Sequence, residues 1–425
     1  MSEKLDILEA TRSWYKKACD KLGLNPSVYE ILREPERLME VAIPIKMDDG
    51  STRVFKGFRS AHSSALGPSK GGVRFDKNVS REEVIALSMM MSIKVALLGL
   101  PLGGGKGGII VDPSKLSERE LESLSRGYVR AINNYIGPRI DVPAPDVNTN
   151  AKIMGYFIDE YITLNGMKED VATFTGKPLA LGGSFARDQA TGFGVALAVK
   201  YAYERKNDTL KGKTFIVQGF GNVGYFAAKY MDEFGASLVA VNASDKDTPS
   251  GSSAIYKKEG LDPEVLHKLK VDGKSVLSFV DDKVEKISNE EFFALDVDVI
   301  LPCALENVIT EEIARKIKAR VISEGANGPT TPKAMTVLED KGVVVIPDIL
   351  ANSGGVLVSH YEWIQNQMGY YFSYDQVKNK EKDDMIRVFE RIFAMAEKEN
   401  TDLKLASFMV AVEQMAEALK YRGRY

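Results

Sequence analysis

The stretch Lys213-Thr214-Phe215-Ile216-Val217-Gln218-Gly219-Phe220-Gly221-Asn222-Val223-Gly224 decides the fold. Its first six residues form a short apolar run of the kind that makes a buried strand. The run enters Gly-x-Gly-x-x-Gly, which opens a helix to about Phe234, and Ser237 to Val241 is the next apolar strand. Alone, the glycine pattern is weak. Between a strand and a helix, with a second strand at βαβ spacing, it predicts a Rossmann-type unit. There the bare backbone of Gly219, Gly221, Asn222, Val223 and Gly224 and the helix N-terminus receive a dinucleotide pyrophosphate.

The same pattern expects an acid after the second strand, to bond the adenosine ribose. The sequence there is Val241-Asn242-Ala243-Ser244-Asp245-Lys246-Asp247, with Ala243 where the acid belongs and Asp245 two residues on. A missing carboxylate with Ser244 and Lys246 close by tolerates the 2′-phosphate of NADP, so the expectation is NAD(P) with a slight lean to NADP. Further strands are expected at Val297 to Leu301, Ala319 to Ser323 and Val343 to Ile346, each running into a polar or glycine-bearing turn. In an open parallel sheet such turns line the cofactor crevice. Asn327 and Asn352 therefore read either as turn formers or as cofactor contacts.

At 425 residues the chain is too long for one core, and two domains are the natural expectation. A composition 44% hydrophobic and 27% charged is that of a globular protein. The net charge of −3 gives no footing for nucleic acid or an anionic membrane. Cys19 and Cys303 form no metal or redox motif, and His62, His267 and His360 no ligand cluster, so no metal is expected. The charged start, Met1 to Asp6, lacks the apolar core of a signal peptide, and no apolar run approaches a membrane span. A cytoplasmic protein is the expectation.

Upstream, apolar positions at helical spacing run from residue 3 to 33 (Leu5, Leu8, Trp14, Tyr15, Ala18, Leu22), interrupted by Pro26. Arg37 to Met47 and Thr52 to Ser60 alternate like a hairpin around Asp48-Asp49-Gly50. Gly67-Pro68-Ser69-Lys70-Gly71-Gly72-Val73-Arg74-Phe75 holds a glycine-flanked lysine, which as a turn residue would be solvated. Arg81 to Leu98 reads as a helix in which Met89-Met90-Met91 is core packing and Lys94 snorkels or faces a cleft.

Pro101-Leu102-Gly103-Gly104-Gly105-Lys106-Gly107-Gly108 reads as a loop with one amine on bare backbone. It fails the Walker pattern, since Leu100 stands where glycine is needed and Gly107 where Ser or Thr is needed. Three amines (Lys70, Lys94, Lys106) converging on one cleft would suit a dicarboxylate and depress the pKa of the most buried one.

After a helix from about Ser117 to Tyr135, Asp141-Val142-Pro143-Ala144-Pro145-Asp146-Val147-Asn148 reads as a rigid loop. Asp146 there either caps the next helix or shuttles protons opposite a lysine. The pattern changes around Lys177 to Ser184. The expected division is therefore 1–184 for substrate binding and oligomerisation and 185–352 for the dinucleotide. Residues 353–425 are expected as C-terminal helices packing back on the first domain. The fold class is α/β.

Together these segments resemble the hexameric glutamate dehydrogenases of the amino-acid dehydrogenase superfamily, over nearly the whole chain. The resemblance rests on Gly67 to Arg74, the stretch around Lys106, Pro143-Ala144-Pro145-Asp146, Ala190-Thr191-Gly192-Phe193-Gly194, Gln218 to Gly224, Glu324 to Pro332 and Asn352 to Ser359. It implies that Lys106 is the catalytic amine and that Asp146 moves protons to and from the substrate nitrogen. It assigns the α-carboxylate to Lys94 and the side-chain carboxylate to Lys70 with Ser359, with Met91 and Pro145 elsewhere in the pocket. Thr191, Asn222 and Asn327 fall on dinucleotide contacts, and Arg187 and Asn352 beside the nicotinamide. The implied reaction is reversible conversion of glutamate to 2-oxoglutarate and ammonium, in a homohexamer. On closure of the cleft, hydride goes to NAD(P) and Lys106, its pKa lowered by nearby cations, activates a water.

Relatives acting on leucine, valine or phenylalanine resemble the chain at Lys94, Lys106 and Asp146 but are apolar where Lys70 and Ser359 stand, which favours an acidic substrate. The antenna insertion of animal members looks absent, and Asp245 to Glu259 looks longer than is usual.

Overall fold

The computed structural model describes residues 7–166, 170–248 and 251–425. Leu5, counted above in the first helix, the charged start Met1 to Asp6, and Pro249 and Ser250 of the 245–259 segment lie outside the described residues. The chain divides into two compact units. The first comprises Met1–Arg187, Val356–Val377 and Arg391–Tyr425; the second comprises Asp188–Gly355 and Lys378–Glu390.

The first unit is built on a sheet of strands β1 (Arg37–Lys46), β2 (Thr52–Ser63), β3 (Ser69–Asp76), β4 (Gly103–Ile110) and β5 (Asp141–Pro145). Their spatial order is β1-β2-β4-β3-β5. β1 and β2 are the expected antiparallel hairpin, β2 is antiparallel to β4, and β3 runs parallel to both β4 and β5. Three segments that read as loops, around Lys70, Lys106 and Asp141, are thus strands.

Glycine weakens a strand interior unless another group must come close, and close approach is the reason here. A Cβ on Gly104 would lie 2.2 Å from the Ser88 carbonyl oxygen, and one on Gly107 would lie 2.4 Å from the Tyr128 hydroxyl. Helix Arg81–Leu97 therefore presses directly onto one face of β4, while Tyr128 of helix Glu118–Ile132 presses onto the strand at Gly107. Ile43, Phe55, Phe75, Ile109, Leu124, Phe157 and Phe174 belong to the apolar core that this second helix shares with helix Ala151–Leu164.

The second unit carries β6 (Thr214–Gln218), β7 (Ser237–Ser244), β8 (Ser252–Tyr256), β9 (Glu285–Ser288), β10 (Val299–Pro302), β11 (Val321–Ser323) and β12 (Val344–Ile346). The order is β12-β11-β10-β6-β7-β8-β9. β12 to β7 are parallel; β8 and β9 add antiparallel strands at the edge, which the sequence pattern had not signalled. Strand order reverses between β6 and β10, the topological switch point where an open α/β sheet binds its ligand. Ile216, Val239, Ile300 and Ile322 are buried with Phe292, Ile309 and Leu338 from the covering segments. Among the described residues no helix is long and apolar enough to cross a membrane.

Candidate active site

β3, β4 and β5 lie side by side, and their register sets the first cluster. Lys70 stands opposite Gly104, Gly72 opposite Ala144, and Val73 opposite both Gly107 and Pro145. Lys106 is opposite Ser60, whose hydroxyl is bonded to Ser88 of helix Arg81–Leu97. Just past the end of β5, Asp146 Oδ2 lies 2.6 Å from Lys106 Nζ and 3.2 Å from Arg74 Nε. Arg74 is itself bridged to Glu83. The Lys106 side chain is 9% exposed and that of Asp146 19%.

Burial alone would raise the Asp146 carboxyl, but Lys106 and Arg74 more than offset it and hold it below the usual carboxylate range. Asp146 is not the cap of the following helix. Asn150 caps Ala151–Leu164, and the Asp146 N–H donates to Thr149 Oγ1, which fixes the turn. A carboxylate touching an amine at this distance can exchange a proton with it along one hydrogen bond.

The second cluster forms around Lys70, which is buried rather than solvated. Its Nζ donates to Thr175 Oγ1 at 2.6 Å. Burial pushes the amine down to about 7; Glu362 opposes the shift, while Arg187, Arg59 and Lys177 add to it. Ser359 is buried on helix Gly354–Met368 and accepts from Arg187 Nε at 3.0 Å. Arg187, expected beside the nicotinamide, thus has its guanidinium on Ser359. Met91 packs its Cγ toward Gly71, and Lys94 lies one turn further along the same helix, half-buried. Pro145 packs against Gly176.

A buried ion pair holds the strands together beneath both clusters. Arg59 Nε donates to Asp141 Oδ2 at 2.8 Å, and Arg59 Nη1 to the Gly71 carbonyl at 3.1 Å. No motif in the sequence marks Arg59, Thr175 or Glu362, and Lys177 stands out there as the start of the pattern change, not as a site residue. Arg74 stood inside a quoted motif, and its place two residues after Gly72 on a strand was the available signal.

The second unit carries most of the positions expected to meet the nucleotide. Gly219 has φ +85°, and a Cβ on Gly224 would lie 2.0 Å from the Gly219 carbonyl oxygen, so both glycines are required by the turn. A Cβ on Gly221 would meet nothing within 4 Å, leaving the backbone bare for a ligand at the N-terminus of helix Asn222–Glu233. These residues fit a dinucleotide pyrophosphate. Asn222 donates to the Asp188 carbonyl, Val223 is half-buried behind it, and Thr191 lies in the first turn of helix Ala190–Glu204. Asn352 Nδ2 donates to Asn327 Oδ1 at 2.9 Å and to the Gly325 carbonyl at 3.2 Å, so the two asparagines meet after β11. Ala243 and Ser244 end β7, where Ser244 is exposed. Asp245 follows directly and accepts from Ser253 Oγ at 2.6 Å, which draws its carboxyl below the ordinary range. Among the described residues no group of three or more His, Cys, Asp or Glu is placed to hold a metal ion.

Residues 35–163 match the family described as Glu/Leu/Phe/Val dehydrogenase, dimerisation domain, and residues 182–423 match Glutamate/Leucine/Phenylalanine/Valine dehydrogenase. A protein named NAD-specific glutamate dehydrogenase from Peptoniphilus asaccharolyticus is 50% identical over 425 residues, which is 100% of each chain. One of the same name from Clostridioides difficile is 49% identical over 421 residues, 99% of each chain. The crystal structure of the Peptoniphilus asaccharolyticus glutamate dehydrogenase superposes with a TM-score of 0.89 at 49% identity, covering 99% of this chain and 100% of that one. A hetero-hexameric glutamate dehydrogenase from Thermus thermophilus, in its Leu-bound form, gives 0.91 at 34% identity, covering 100% and 99%. The lean toward NADP drawn from Ala243 finds no support in these relatives, and Asp245 supplies a physical reason, an acid directly after β7. The chain belongs to the Glu/Leu/Phe/Val dehydrogenase family.

Proposed function

We propose that this chain catalyses the reversible oxidative deamination of L-glutamate to 2-oxoglutarate and ammonium, with NAD as the hydride acceptor. The observation that carries the chemistry is the 2.6 Å contact between Lys106 and Asp146. The choice of an acidic substrate is supported by Lys70, a buried amine that donates to the neutral hydroxyl of Thr175. A buried ammonium facing an apolar side chain is costly, and a carboxylate relieves that cost.

In this reading Lys94 holds the α-carboxylate, Lys70 and Ser359 hold the side-chain carboxylate, and Met91 and Pro145 shape the pocket between. Bound against the substrate, NAD would supply an acceptor for the α-hydrogen as hydride, which would leave the neutral α-amine as an iminium. Lys106 removes a proton from a water as that water attacks the iminium carbon. Asp146, a carboxylate at rest, receives that proton from Lys106 and passes it to the substrate nitrogen; the C–N bond breaks, and Lys106, neutral again, takes the hydroxyl proton as the carbonyl forms and ammonia leaves. The short contact lets Lys106 and Asp146 hand the proton across one hydrogen bond, and the one proton left on Lys106 at the end is the proton that the net reaction releases to solvent.

Gly219, Gly221, Asn222, Val223 and Gly224 hold the pyrophosphate, with Thr191 and Asn327 beside it and Arg187 and Asn352 toward the nicotinamide. Ala243 and Ser244 meet the adenosine ribose. The preference for NAD is supported by Asp245, whose negative charge opposes a 2′-phosphate. The division at 1–184, 185–352 and 353–425 and a homohexameric assembly belong to the same reading. A cytoplasmic setting accords with the free thiols of Cys19 and Cys303.

Initial rates of 2-oxoglutarate amination, measured with NADH and NADPH in turn, test the reaction and the cofactor together. NADH should be favoured at least about tenfold, the discrimination expected of one charge at the ribose. Parity or an NADPH preference would remove the role given to Asp245. No rate with either, alongside oxidation of leucine or phenylalanine, would overturn the substrate.

A further inference from the structure

Glu362 is fully buried one helical turn beyond Ser359 on helix Gly354–Met368. Its Oε2 accepts from the Gly176 N–H at 2.8 Å, and its Oε1 from the Lys177 N–H at 3.3 Å and from Lys177 Nζ at 2.7 Å. Lys177 Nζ also donates to the Phe174 carbonyl, so the segment from Phe174 to Lys177 wraps around one carboxylate. The other side of that segment is tied to β5, where the Thr175 N–H donates to the Pro143 carbonyl at 3.1 Å. Thr175 then offers its hydroxyl to Lys70.

A pair as buried as Lys177–Glu362, each side chain 0% exposed, is a weak source of stability. Desolvating both charges offsets most of their attraction. Its geometry does something more specific. It joins the helix that bears Ser359 to the segment that bears Thr175, with Lys70 bonded to the latter.

We propose that Glu362 is a positioning residue for the side-chain carboxylate subsite, fixing Thr175 and Ser359 about Lys70 and supplying the negative charge that balances that amine. This rests on the reading of Lys70 as the group that binds the distal carboxylate of the substrate. The charges that act most on Lys70 are Glu362 and, against it, Arg187, Arg59 on β2 and Lys177. Glu362 is the acid in that set, so removing it leaves burial and three cations to drive Lys70 neutral. A neutral amine cannot clamp a carboxylate.

The test is calorimetric titration of the full-length enzyme with glutarate, a five-carbon dicarboxylate without an amine, between about pH 5.5 and 9, a window centred on Lys70. Wild-type affinity should fall as pH rises past about 7. Glu362→Gln should move that midpoint down by about one unit or more and weaken binding at pH 7 roughly tenfold. Lys177→Met, which frees Glu362 of its counter-charge and removes a cation, should move the midpoint up. NADH affinity should stay unchanged in both.

Weaker binding at an unmoved midpoint is what a merely structural role gives, and it would overturn the proposal. If Glu362→Gln does not fold, Lys177→Met decides, since an unmoved or lowered midpoint is equally contrary. Lys70→Met separates the two readings. Unchanged glutarate affinity in that variant overturns the subsite itself, whereas lost affinity with an unmoved Glu362→Gln midpoint overturns the role of Glu362 alone.

Discussion

Gly72 and Asp146 are in direct contact: a Cβ on residue 72 would lie 2.6 Å from the Asp146 Cβ and 2.9 Å from the Pro145 carbonyl oxygen. The carboxylate keeps its distance to Lys106 because its neighbour strand has no side chain there. Gly72→Ala must push Asp146 away by a good fraction of an ångström. It should lower kcat about 10²-fold, as misplacement by that much does, with little change in NADH affinity. Steady-state rates with NADH titration check this, and an unchanged kcat would mean that the Asp146 position is not critical.

Lys70→Leu exchanges an ammonium for a shorter, apolar group. The ratio of kcat/KM for glutamate to that for leucine should fall by about 10³-fold or more, since the lost charge pair and the new apolar fit act in the same direction. Unchanged selectivity in the two-substrate comparison would show that substrate choice is made elsewhere.

The same residue affects stability, and the sign is opposite to that of a stabilising ion pair. The folded-state value of Lys70 lies at about 7, below the ordinary lysine value. Burying the ammonium therefore costs its full amount below about pH 7, and the cost fades as pH rises toward about 10.4, the unfolded value. Lys70→Met should raise the melting temperature of the substrate-free enzyme most at pH 6 to 7 and least near about pH 10. A stabilisation that is flat across this range would remove Lys70 from the titrating groups.

Asp141→Asn leaves the Arg59 guanidinium buried, 1% exposed, without its carboxylate. Breaking a buried pair in this way costs about 3–5 kcal/mol. Chemical denaturation should show the loss, and because Arg59 also holds the Gly71 carbonyl, kcat should fall with it.

The parts that could be read in advance were those whose signal is local. β6, its glycine turn and the helix that follows form one continuous stretch, and the apolar runs of β10, β11 and β12 stand out for the same reason. β4 was hidden because a strand of glycines has no side chains to alternate, and β3 because Gly71-Gly72 interrupts its alternation. Groups packed from other elements, Ser88 at Gly104 and Tyr128 at Gly107, show why the backbone is bare there. β9 reads Glu-Lys-Ile-Ser and carries too little apolar character to announce a strand. Thr175 and Glu362 were missed because their bonds close across 105 and 186 residues, to Lys70 and Gly176. The order of the motifs in the chain pointed to Lys70, Lys106 and Asp146, but only three-dimensional packing shows that Lys106 touches Asp146 and that Lys70 is the amine weakened by burial.

The most direct test of the account is the turnover of Lys106→Ala, with NADH binding measured on the same preparation. Removal of the amine should lower kcat for 2-oxoglutarate amination by about 10³-fold or more while NADH binds as in wild type, because the amine acts only on the reacting groups. Near-normal turnover with NADH bound would contradict it, since the proton would then be moving without Lys106.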